Sequence, residues 1–153
     1  MNTSLPLSKP PEAQEPSQSA ARFAYVGLIP FVLGAALVWL VHAEVRPDVT
    51  LALAGYAAAT VAFLGGVHWG LAMRPEAPGP RSFGWAVVPP LASSVAILMP
   101  AYAGLVVLGA MLVVCYLVDR RLYVEKGLAH WLTLRFRLSV VAAFCCFLAA
   151  AGI

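Results

Sequence analysis

Charge is scarce in this sequence. Only 11% of its 153 residues are Asp, Glu, Lys or Arg, against about a quarter in soluble domains, and that shortage excludes a water-facing surface of ordinary composition. Cysteine is scarce as well: Cys115, Cys145 and Cys146 stand inside apolar runs with no CxxC pattern, so neither a disulfide framework nor a thiolate metal site is indicated. Histidine is confined to His42, His68 and His130 without HxxxH spacing, which leaves no recognisable set of metal or haem ligands. GxSxG, the Walker loop, HExxH and the dinucleotide fingerprint are all missing, so hydrolase, nucleotide-binding and zinc-protease chemistry lack support. No catalytic residue, metal or cofactor is therefore expected, and the chain reads as a non-enzyme. The net charge of +3 comes from basic residues in short segments between apolar runs, with no continuous basic stripe. That distribution suits anionic lipid rather than nucleic acid.

Hydrocarbon is abundant, with hydrophobic residues making up 61% of the chain. Five apolar runs, at about 23–41, 49–73, 83–99, 102–118 and 132–153, are each long enough, or nearly so, to cross about 30 Å of hydrocarbon at 1.5 Å per residue. They do not alternate as membrane strands do. The predicted fold is all-α, a polytopic membrane protein with a bundle of five transmembrane helices over residues 22–153. Residues 1–21, rich in Pro, Ser, Gln and Glu, are expected to be a disordered cytoplasmic tail. Val41-His42-Ala43 loosely mimics a cleavage site, but the run before it is too long for a signal core and suits a retained span. The third and fourth runs are separated only by Pro100-Ala101, which predicts a tight antiparallel hairpin.

For five spans, the amino-terminal side carries Lys9, Arg22, Arg74, Arg81, Arg120, Arg121, Lys126, Arg135 and Arg137, while the opposite side carries only Arg46. The positive-inside rule then places the amino terminus in the cytoplasm and the carboxyl terminus in the periplasm of a bacterial inner membrane. Tyr25, Trp69, Trp85, Tyr123 and Trp131 fall near the same cytoplasmic interface, where amphipathic rings prefer to sit.

Four features inside the spans carry polar or packing information. Phe63-Leu-Gly-Gly-Val-His68-Trp69-Gly70 places a histidine among apolar residues and glycines, and an intramembrane ionisable group is a functional-site candidate. Ala54, Ala58, Ala62, Gly66 and Gly70 recur every four residues, a small-residue stripe that lets another helix approach closely. Ser139, Ala142, Ala143, Cys146, Ala149 and Ala150 form a comparable face on the last span. Pro89 and Pro90 remove two backbone donors from the third span, free the carbonyls of Trp85 and Ala86, and predict a kink. Counted inward from the span ends, His68 and Pro89 lie at about the same depth, roughly 9 Å. Two readings of His68 stand: a neutral imidazole bonded to a carbonyl or serine of a neighbouring helix, or part of a proton or small-solute path with Tyr56, Ser93, Ser94 and Asp119 as companions. Asp119 is also within reach of Arg135 or Arg137, either as an ion pair or with both arginines turned to lipid headgroups. The candidate intramembrane polar site therefore comprises His68, Trp69, Trp85, Asp119, Arg135 and Arg137.

The histidine segment at 63–70, together with Tyr25-Val-Gly-Leu-Ile-Pro30-Phe31, Tyr116-Leu-Val-Asp119-Arg120 and Trp131-Leu-Thr-Leu-Arg135, resembles a domain-of-unknown-function family of small bacterial and mitochondrial inner-membrane proteins that includes transmembrane protein sixty-nine. The resemblance spans roughly residues 22–150 and implies a five-span inner-membrane protein. It implies no activity, cofactor or catalytic residue. The functional expectation is a non-catalytic packing or assembly component in contact with lipid and with itself or other membrane proteins. The alternative is a small transporter or proton-conducting unit using His68.

Overall fold

The computed structural model describes residues 17–73 and 81–153, without the side chains of Arg81 and Ser82. The first sixteen residues of the expected tail, and Arg74, lie outside them. Six α-helices follow in order: α1 Gln18–Val26, α2 Ile29–Leu40, α3 Arg46–Ala72, α4 Arg81–Leu98, α5 Ala101–Glu125 and α6 Leu132–Ala151, with a 3-10 turn at Ala129–Trp131 before α6. Helix starts earlier than the expected end of the tail, because the Ser17 hydroxyl accepts a hydrogen bond from the Ala20 amide at 3.2 Å and caps α1.

The chain is an all-helical membrane bundle. Among the described residues, four helical stretches are long and apolar enough to cross a bilayer: Gln18–Leu40, Arg46–Ala72, Ala101–Glu125 and Ala129–Ala151; the apolar part of α4, Phe83–Leu98, is shorter. Its surface is inverted relative to that of a water-soluble protein. Phe23, Leu40 and Leu98 are exposed by 78%, 78% and 87%, whereas His68, Ser93, Asp119 and Ser139 are buried, as expected when lipid rather than water is the outer solvent.

Local chemistry sets the breaks. Pro30 has no N–H to give to Val26, so the first span is interrupted at Gly27-Leu28 and resumes as α2 with proline in its first turn. Gly127 ends α5 with φ of +71°, and the Leu128 amide reaches back to the Tyr123 carbonyl at 2.7 Å, a glycine-terminated helix end. Pro100 caps the start of α5 immediately after α4, giving the short connection between the third and fourth apolar runs.

Packing is strongest between α3 and α4 and between α5 and α6, while α3 barely touches α6. The core joins Phe31, Ala35 and Val38 of α2, Leu105, Leu108 and Leu112 of α5, and Ala142, Cys146 and Ala149 of α6. The small face of α6 is thus buried. The stripe on α3 divides: Ala54 and Ala58 are buried and Ala62 is half-buried, but Gly66 and Gly70 point away from the bundle, with nothing within 4 Å of where a Cβ would sit. The close approach belongs to Gly65, where a Cβ would stand 2.6 Å from both the Ala86 carbonyl oxygen and the Pro90 ring of α4.

Candidate functional site

α3, α5 and α6 bring His68, Asp119 and Arg135 together inside the bundle. His68 Nε2 lies 2.9 Å from Asp119 Oδ1, with the two side chains exposed by 3% and 1%. Arg135 approaches the other oxygen, donating from Nε to Oδ2 at 2.8 Å and again from Nη2. Two donors of one guanidinium on one carboxylate form a directional, charge-assisted pair. Oδ1 nevertheless lacks a well-aligned donor, so its short approach to the imidazole is a close polar contact rather than a completed hydrogen bond.

Each member is placed by its own element. His68 sits one turn from the end of α3, on the same face as Leu64 and Ala72. Asp119 is interior because α5 continues to Glu125, more than a turn beyond it. Arg135 is in the first turn of α6, close enough to a helix end for a long side chain to reach headgroups, yet it turns inward to the carboxylate instead. The ion pair weighed from the sequence is therefore made, and by Arg135. Arg137 faces outward, its Nη1 3.5 Å from the Tyr25 hydroxyl.

Trp85 joins the cluster edge-on, its ring centroid 6.3 Å from that of His68, with its Nε1 buried and lacking an acceptor. Trp69 belongs elsewhere: it is 45% exposed and stacks edge-on against Phe83. The other suggested companions of His68 are engaged with backbone. Tyr56 donates to the Gly27 carbonyl at 2.8 Å, Ser93 to Pro89 at 2.8 Å and Ser94 to Pro90 at 3.0 Å. Pro89 and Pro90 lie within a continuous α4. The Ala86 carbonyl that they free lies against the backbone of Gly65 rather than the imidazole, where only a glycine leaves room and a weak Cα–H···O contact can form.

Tyr123, one turn after Asp119, is buried beside Arg135 and was not singled out in sequence as a member of this cluster. Its i,i+4 spacing from Asp119 was the available signal. A cavity of about 20 Å³ borders His68, Leu71, Ala72, Leu122 and Lys126, room for a single water. Cys115, Cys145 and Cys146 are free and buried. Among the described residues, no three His, Cys, Asp or Glu side chains are grouped to hold a metal ion.

Neither the curated proteins nor the solved structures contain a match to this chain. Residues 16–151, which include every helix of the described residues and the whole His68–Asp119–Arg135 cluster, match a family described as protein of unknown function (DUF3429), and the chain belongs to that family.

Proposed function

We propose that this chain is a non-catalytic, five-span component of a bacterial inner membrane that packs against itself or against other membrane proteins. The carrying observation is that its buried charges serve to join helices: Asp119 of α5 is matched by Arg135 of α6 and touched by His68 of α3. Thr50, Thr60, Ser93 and Ser94 do not extend that cluster into a polar path, since each donates to a carbonyl of its own helix. The uncovered Gly66 and Gly70 on α3 supply a face that a helix from another chain can approach. In this reading the amino terminus is cytoplasmic and the carboxyl terminus periplasmic, in keeping with the asymmetry of Lys and Arg.

The test is gentle solubilisation from the native membrane, followed by size analysis and identification of co-purifying chains. A stable complex that Gly66→Leu and Gly70→Leu dissolve, with the helical fold intact, supports assembly; wild-type protein recovered only as a lone monomer contradicts it.

A second reading, a proton-conducting unit, draws on the water-sized cavity beside His68 and on the Asp119 oxygen without an aligned donor. In sealed vesicles it requires proton flux from the wild type that His68→Gln abolishes while the fold persists, because an amide cannot carry the proton.

A further inference from the structure

α3 and α6 touch one another little, and residues of both line a lateral groove. It has two chambers of about 400 and 320 Å³ that share Ala24, Phe63, Leu64, Arg135 and Leu138 as walls. Each chamber is within the size range of small-molecule sites, about 300–1,000 Å³. One end reaches Phe31 and Ala142, and the other reaches Leu128 and Trp131. Its lining is mainly hydrocarbon. Two of its polar groups, the hydroxyls of Tyr56 and Thr60, are already bonded to carbonyls.

Arg135 is the charged group in this lining. It borders both chambers and gives two N–H groups to Asp119 Oδ2; of the five that a guanidinium carries, the other three are shared between the neighbouring Tyr123 hydroxyl and the groove. Two further cations stand near this region: Arg22 precedes the groove-lining Phe23, and Arg137 contacts Tyr25, next to the groove-lining Ala24. A long apolar cleft with a cationic rim matches an acyl chain joined to a negatively charged head, and basic pockets between membrane helices bind such headgroups.

We propose that the groove between α1, α3 and α6 is a binding site for an anionic phospholipid. One acyl chain lies between Phe31 and Leu138, and the phosphate faces the remaining donors of Arg135, with Arg22 and Arg137 at the rim. The lipid fills a cleft that the chain's own side chains leave open, in a solvent that can supply the acyl chain directly.

The test is native mass spectrometry of the full chain in mild detergent with equimolar phosphatidylglycerol and phosphatidylcholine. One phosphatidylglycerol should be retained per chain in preference to phosphatidylcholine, by roughly fivefold for each arginine that faces the phosphate. Ala59→Trp, which fills the groove, should remove it, whereas Val95→Trp on the exposed face of α4 should not. Should Ala59→Trp fail to fold, the exposed pair Arg22→Gln and Arg137→Gln still decides, because removing both must lower the preference. Equal retention of the two lipids, retention unaffected by groove filling in a folded variant, an unchanged preference in the double variant, or a retained mass corresponding to a free fatty acid would each overturn the proposal.

Discussion

Burying an aspartate among apolar helices, exposed by 1%, is costly unless cationic or hydrogen-bonding neighbours replace water, and Asp119 has Arg135 on one oxygen and His68 beside the other. Asp119→Asn preserves shape but leaves the guanidinium without its counter-charge, so unfolding in detergent should show a loss of about 3–5 kcal/mol. A loss below 1 kcal/mol would mean that Arg135 finds another anion or turns to the headgroups. His68→Gln should be milder, because an amide N–H can still reach Oδ1; the expected change is within about 1 kcal/mol, read in the same unfolding assay. His68 and Asp119 could each be picked out in the sequence because polar residues are conspicuous against hydrocarbon. Asp119 stood among four possible companions of His68, but which of them it meets was not legible, since His68 and Asp119 are 51 positions apart on helices joined through α4, and nothing in either segment specifies the rotation that brings them face to face. The expected partners of His68, the carbonyls released by Pro89 and Pro90, were assigned by depth alone, and depth does not fix which way a side chain points.

At the scale of the element, α3 and α6 show why one small-residue face is buried along its length and the other is not. A helix turns about 100° per residue, so every step of four overshoots a full turn by about 40°. From Ala54 to Gly70 the stripe takes four such steps and rotates by about 160°, which carries Gly66 and Gly70 to the outside while Ala54 stays within. The α6 face alternates steps of three and four from Ser139 to Ala149, remains on one side, and is buried. Gly65 was missed because it lies one residue off the regular stripe. Gly65→Leu should therefore destabilise the isolated chain, by about 1–3 kcal/mol or more, since a backbone carbonyl and a proline ring already occupy the space. Gly66→Leu should leave that stability nearly unchanged, and a thermal or denaturant scan of both in the same detergent separates them. Tyr56→Phe removes the bond from α3 to the Gly27 carbonyl and should cost about 1–3 kcal/mol by leaving that acceptor bare.

For the whole molecule, composition and run length were enough to specify a helical membrane bundle, because the bilayer permits few alternatives. Helix neighbours were much less legible, apart from the hairpin of α4 and α5, since lipid-facing and core-facing residues are nearly equally apolar here. Topology is testable independently of packing. A reporter after Ile153 should be active only outside the cytoplasm and one before Arg22 only inside, following the bias of basic residues; both ends on one side would remove the five-span arrangement. The central structural claim is that one buried ion cluster binds α3, α5 and α6 into a single cooperative unit. Its most direct measurement is a double-mutant cycle on unfolding in detergent or bilayer, using Asp119→Leu, Arg135→Leu and the pair. Each single variant should lose about 3–5 kcal/mol, while the pair, with no unmatched charge left inside, should lose much less than their sum. Additive losses would show that Asp119 and Arg135 contribute separately and would contradict the clasp.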